Sequence, residues 1–305
     1  MDMSERFSSM VKAIFFGNYF YGICAVALAF EANLQQEIHV LSWLFYVIIF
    51  VAVVFYYTQA YLRDHLSIHH ERSRWYAHHR VILKRLQTIY FSVVVLLAII
   101  HFFQYRNSWL QQSLPFYVLL CSVPLVAVFY QGIGERLFRK YSLRSIGWLK
   151  PFVIGYTWAG MVTLYPALFE SIESQGLFEL SWLNVFLFIK NMMYVAVLCI
   201  MFDVKDYIDD YNQRLKTFVT SFGLRKTIVF IISPLVILGL TSFLIVANIR
   251  EFSMMKVAIN TLPFIALYVV ARSLFKRKNI MYYLTIIDGL MLLKAVCGVV
   301  GMVWF

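Results

Sequence analysis

Nine apolar runs, at roughly 13–32, 40–62, 87–105, 115–131, 152–169, 182–202, 226–247, 256–271 and 281–303, govern what this chain can fold into. A helix needs about 20 apolar residues to cross the hydrocarbon core of a bilayer, and most of these runs are close to that length. Hydrocarbon offers backbone N–H and C=O groups no partner, so each run must satisfy its own as a helix. A 61% hydrophobic chain with mean hydropathy +0.72 is far more apolar than a soluble core of 305 residues requires. The expected fold is all-α, a polytopic membrane bundle of about nine transmembrane helices. No linker, low-complexity tract or strong repeat divides it, so residues 1–305 are expected to form a single domain. No small-residue cleavage site follows the first run, and a cleavable signal peptide is not expected.

The charge distribution supplies orientation. Of the 27 Lys and Arg residues, 22 fall in the N-terminal tail and in the segments 63–85, 136–150, 205–226 and 272–278. All of these segments lie on one side of a nine-span topology. The other side has only Arg106, Arg250 and Lys256, while Lys190 and Lys294 fall within spans. The positive-inside rule then predicts a cytoplasmic N-terminus and an outer C-terminus. The net charge of +11 is read as this topology signal, with phosphate recruitment as a second use, and not as a nucleic-acid footprint. Cys24, Cys121, Cys199 and Cys297 all lie within spans and form no CxxC pair, which suits small buried core residues.

The polar chemistry concentrates in FDVKDYIDDYNQRLKT, residues 202–217, where the sixth run meets a basic loop. Asp203, Asp206 and Asp210, spaced i, i+3 and i+7, share a helix face, with Asp209 turned away from it. Carboxylates held together repel unless a cation sits among them, and oxygen ligands suit Mg²⁺ bridging to a phosphate. Lys205, Arg214 and Lys216 stand beside them, able to hold phosphate oxygens. The bland alternative is a solvated acidic face at the membrane boundary.

With nine spans and an inward N-terminus, DVKDYIDDYNQRLKT resembles the second aspartate-rich motif, D-x-x-D-x-x-x-D, of the UbiA superfamily of intramembrane prenyltransferases. YSLRSIGWLKPFVIGYTWAG, residues 141–160, is similar to that family's stretch entering span five. The resemblance implies Mg²⁺ held by Asp203, Asp206 and Asp210 against the diphosphate of an isoprenoid substrate. It also implies diphosphate contacts from Arg144, Lys150, Lys205 and Lys216, and transfer of the prenyl group to a lipophilic or aromatic acceptor. The first motif of the family, N-D-x-x-D-x-x-x-D, departs. The corresponding region reads YYTQAYLRDHLSIHHERSRWYAHHR, with Asp64 and Glu71 its only acids and Thr58-Gln59 near the expected Asn-Asp. Asp64 is the candidate to complete the metal cage, with Arg63 and His65 near the diphosphate replacing part of the missing metal charge.

The implied protein is an integral membrane enzyme of a bacterial-type plasma membrane, with its active face cytoplasmic, acting on an isoprenoid diphosphate within the lipid bilayer. The alternative is a non-catalytic protein of the same fold that binds an isoprenoid or a phospholipid. His65, His69, His70, His78 and His79 interleave with Arg72, Arg74 and Arg80, a setting for anionic headgroups; a metal shared by His65 and His69 is the other reading. Lys190, deep in a span, is expected either to pair with Asp288 or to line a cavity.

Overall fold

The computed structural model describes residues 3–63, 71–131, 146–212, 214–276 and 278–305, and contains no strand among them. Eight helical stretches there are long and apolar enough to cross a membrane. A bent pair, Met10–Phe16 with Tyr19–Gln36, makes a ninth if taken as one span. The polytopic all-α fold is therefore the expected one. The chain divides into two compact units, Met1–Val26, Leu41–Gln111 and Ser171–Leu177 in one, Ala27–Val40, Gln112–Glu170 and Phe178–Phe305 in the other.

The first unit holds α1 (Met3–Phe16), the start of α2 (Tyr19–Gln36), α3 (Trp43–Arg63), α4 (Glu71–His78), α5 (Arg80–Gln104) and α6 (Arg106–Gln111). α3 packs along α5. The first apolar run is broken, not continuous: α1 and α2 meet at 61°, and Asn18 between them is left-handed at φ 64°. Asn tolerates that conformation because its short side chain bonds locally. Here Asn18 Nδ2 donates to Thr58 Oγ1 at 3.0 Å and to the Tyr76 hydroxyl at 2.9 Å. Its Oδ1 accepts from Arg72 Nη2 at 2.6 Å. Arg72 and Tyr76 also donate to the last carbonyls of α1, at Phe15 and Phe16. A helix end buried in apolar surroundings needs such donors. Arg72, read from sequence as part of a headgroup-facing basic loop, is instead buried, with its guanidinium 3.8 Å from the Tyr61 ring centroid.

At another edge of this unit, Glu173 accepts from the backbone N–H and hydroxyl of Ser42 and faces His101 Nε2 at 3.3 Å. Trp109 Nε1, which can only donate, bonds His101 Nδ1. The His101 proton therefore sits on Nε2, toward the carboxylate.

The second unit contains α7 (Leu114–Gln131), α8 (Lys150–Ala159), most of α9 (Tyr165–Glu173), α10 (Trp182–Lys205), α11 (Tyr207–Asn212), α12 (Phe218–Phe222) and α13 (Leu224–Thr227). It continues with α14 (Ser233–Ile249), α15 (Met254–Ser273), α16 (Ile280–Tyr282) and α17 (Gly289–Trp304). Its core is the α8–α10 pair: the Lys150–Glu173 span is 61% buried and α10 is 56% buried, against 11% for α7. Cys121, expected inside, is exposed on α7. Three spans contain a π-helical turn, at Gly160–Leu164, Ile228–Ile232 and Tyr283–Ile287. The first two immediately precede Tyr165-Pro166 and Ser233-Pro234. Proline lacks an N–H and clashes with the carbonyl one turn back, and widening that turn by one residue relieves both.

Deep in this unit, Lys294 pairs with Glu31 at 2.6 Å, Gln35 Nε2 donates to Glu31, and Lys190 Nζ donates to Gln35 Oε1 at 2.8 Å. Lys190 thus has a different partner from the expected Asp288. Charges within spans pair or face polar groups because hydrocarbon solvates neither. Gly298 makes room for this pair: a Cβ there would lie within 2.6 Å of three side-chain atoms of Glu31.

Candidate functional site

The acidic cluster forms where α10 ends. α10 opens with a capping box at Ser181 and Asn184, runs 24 residues, and stops at Asp206, whose φ of −88° and ψ of 6° leave the helical region. The short α11 follows, so the three acids do not share one continuous helix as expected. The turn is tied across the break, since Asp210 N–H donates to the Asp206 carbonyl at 2.8 Å. Asp206 and Asp210 therefore stay close enough for their charges to act on Asp203. Asp203 and Asp210 are buried, Asp206 is half-buried and Asp209 is exposed.

Lys150 is brought to Asp203 by close helix packing. At Gly155 on α8, an added Cβ would fall 2.6 Å from the Met192 carbonyl and 3.5 Å from the Ala196 Cβ on α10. Small residues let two membrane helices approach at backbone distance. With α8 seated this way, Lys150 at its first turn places Nζ 2.8 Å from Asp203 Oδ1. The Asp203 side chain is 0% exposed, and its Oδ2 has no hydrogen-bond partner among the described residues. A buried carboxylate oxygen left without a partner is unfavourable by about 1–3 kcal/mol or more, and such an atom in a native site calls for a role.

The remaining candidates fall as follows. Lys205 Nζ lies 3.2 Å from Asp206 Oδ1, a half-exposed pair of the kind that contributes about 0–1 kcal/mol. Lys216 is exposed, next to Thr217, which caps α12. Arg63 is exposed at the end of α3 in the first unit. Asp64, His65, His69, His70 and Arg144 lie outside the described residues. His78 is exposed, while His79 Nδ1 sits 2.9 Å from the Trp75 carbonyl, which fixes the proton on that nitrogen. Thr58, near the expected first motif, is buried and accepts from Asn18.

Sequence reasoning missed Asp288 as a neighbour of this site. It is buried, and its charge acts on Cys199, one turn before Asp203. Tyr283, buried on the π-turn preceding Asp288, is acted on by Asp206. The sequence signal was an intramembrane carboxylate followed by glycine, which an assumed pairing with Lys190 obscured.

No three Asp, Glu, His or Cys side chains among the described residues stand together closely enough to hold a metal ion. Mg²⁺ shared with a phosphate requires less, one or two protein carboxylates with phosphate oxygens and water completing the shell. Asp203 Oδ2, aided by Asp206 or Asp210, fits that lesser demand.

No family model matches the chain, and no curated protein matches its sequence. Among solved structures, that of a digeranylgeranylglyceryl phosphate synthase in membranes matches over 99% of this chain and 100% of its own, with TM-score 0.58 and 14% identity. Likeness at that identity establishes the fold alone: the all-α membrane fold of this chain is the one seen in that synthase.

Proposed function

We propose that this chain is a membrane prenyltransferase that moves a prenyl group from an isoprenoid diphosphate to a lipophilic or aromatic acceptor. The observation that carries the reading is the pair of half-buried Lys150 with fully buried Asp203, whose Oδ2 has no partner among the described residues, and the charges of Asp206 and Asp210 close by. In the reaction the C1–O bond of the allylic diphosphate breaks, its electron pair leaves with the diphosphate, and the acceptor captures the allylic cation and loses a proton. Negative charge grows on the diphosphate, so cations fixed in place favour the transition state over the ground state. Lys150 supplies one such cation at the membrane boundary, held in position by Asp203. Lys205 and Lys216, both exposed on the same stretch of chain, extend the positive field. Asp203 and one of Asp206 or Asp210 would hold Mg²⁺, which when bound adds positive charge to the departing oxygens. The active face is proposed to be cytoplasmic.

One observation favours a second reading, a non-catalytic binder of an isoprenoid or phospholipid. Lys150 already satisfies one oxygen of Asp203, so that the carboxylate has a fixed counter-charge without a metal ion. Release of diphosphate by the purified protein, supplied with an allylic diphosphate and a lipid-soluble phenol, with and without Mg²⁺, separates the two. Turnover that needs Mg²⁺ and falls at least about 100-fold in Asp203→Asn, but less than about twofold in Asp209→Asn, is the expected result. Saturable binding of the diphosphate with no release would establish the second reading.

A further inference from the structure

We propose that a groove beside α15, lined by none of the clustered aspartates, binds the phosphate of an anionic phospholipid of the surrounding bilayer. The groove has a volume of 510 Å³ and belongs entirely to the second unit. Arg225, in the last turn of α13, and Arg272, in the last turn of α15, supply its charge, and both are exposed. Neither has a carboxylate within ion-pair distance among the described residues. The sequence explains why: no Asp or Glu occurs between Asp210 and Glu251, nor between Glu251 and Asp288. Among the described residues, two guanidinium groups are therefore offered without a carboxylate counter-ion.

The rest of the lining suits a lipid and not a water-borne anion. Ile228, Val229 and Phe275 give it an apolar wall, of which Val229 and Phe275 are exposed. That wall is set by the π-turn Ile228–Ile232, whose displaced carbonyl at Ile228 accepts from Ser233 Oγ at 2.8 Å. Arg272 Nη1 donates to the Tyr268 hydroxyl at 3.2 Å. The guanidinium is thereby oriented, and the hydroxyl proton of Tyr268 is left to donate. Two forked cations and a hydroxyl over an apolar slot at the end of membrane spans match a phosphodiester with its acyl chains running down the protein. Lys226, Lys276 and Lys278 nearby reinforce the attraction to an anionic leaflet.

Native mass spectrometry of the full chain, titrated with phosphatidylglycerol or with phosphatidylcholine of identical acyl chains, tests this. The unaltered protein should retain one phosphatidylglycerol preferentially. Each Arg→Gln change should weaken that binding about five-fold, and R225Q/R272Q about 25-fold, with phosphatidylcholine unaffected. R225K/R272K, which keeps the charge but not the fork, should bind more tightly than R225Q/R272Q and less tightly than the unaltered protein. Melting temperatures in phosphatidylcholine nanodiscs should not change, because neither arginine is ion-paired among the described residues. Should the double variant fail to fold, the two single variants carry the same expectation. Unchanged phosphatidylglycerol affinity, or an equal loss for both lipids, would overturn the proposal. Displacement of the lipid by inorganic phosphate alone, as effectively as by phosphatidylglycerol, would show a free-anion site and overturn it as well.

Discussion

Removing one member of a buried ion pair is worse than removing both, because the survivor keeps its desolvation penalty without its partner. Asp203 is fully buried, and Lys150 is its one cationic contact among the described residues. Lys150→Leu is therefore expected to destabilise the protein by about 3–5 kcal/mol, and Lys150→Leu with Asp203→Leu to recover much of that loss. Denaturant unfolding of the three proteins in the same detergent measures it, and a double variant no better than the single one would count against a coupled pair. A second residue, Tyr76 on α4, lies outside the membrane-spanning segments, and burial pushes its phenol up to about 12 from 10. The folded state thus holds the phenolic proton more tightly than the unfolded chain. That stabilisation is complete below pH 10 and is lost as pH rises toward 12. Melting temperatures from pH 9 to 12 should fall more steeply for the unaltered protein than for Tyr76→Phe, which starts lower because it lacks the bond to the Phe16 carbonyl. Parallel curves would exclude Tyr76 as the titrating group.

Elements were legible in the sequence where a single physical demand dominates. Twenty apolar residues in a row leave the backbone one solution, and the spans from Trp43–Arg63 onward fall where hydropathy places them. Breaks within them depend on tertiary partners and were not legible. The bend at Asn18 exists because Thr58, Arg72 and Tyr76, 40 to 58 residues away, supply its bonds. Asp206 ends α10 inside what reads as one helix face, so the i, i+3, i+7 argument reached the right residues through the wrong geometry. Lys150 was legible only through resemblance, since its position follows from Gly155 against Met192, a contact 37 residues apart in sequence. Gly155→Ala should force α8 off α10, with a cost of about 1–3 kcal/mol from overpacking. Lys150 would then move from Asp203, and diphosphate release should fall together with stability. Gly289→Ala meets nothing within 4 Å and serves as the control. Normal turnover in a destabilised Gly155→Ala protein would separate helix packing from placement of Lys150.

For the whole molecule, the parity of membrane crossings decides on which side each charged segment lies. Eight spans stand on their own, and the ninth depends on whether α1 and α2, bent by 61°, cross as a unit. α2 has 18 residues, about 27 Å of helix, which nearly covers a bilayer of about 30 Å by itself. Its polar residues do not argue against insertion, because Glu31, Gln35 and Gln36 are all bonded inside the second unit. A crossing by α2 gives nine spans, places the N-terminus and the four basic segments on one side, and leaves Arg106, Arg250 and Lys256 on the other. Eight crossings would put some of the 22 clustered cations outside, against the direction in which Lys and Arg resist translocation. Reporters fused before Met1 and after Phe305 should accordingly read opposite sides, cytoplasmic for the first and external for the second. Two cytoplasmic signals would remove α2 as a crossing and move the Asp203 cluster and the Arg225–Arg272 groove to the outer face, which the charge asymmetry does not predict.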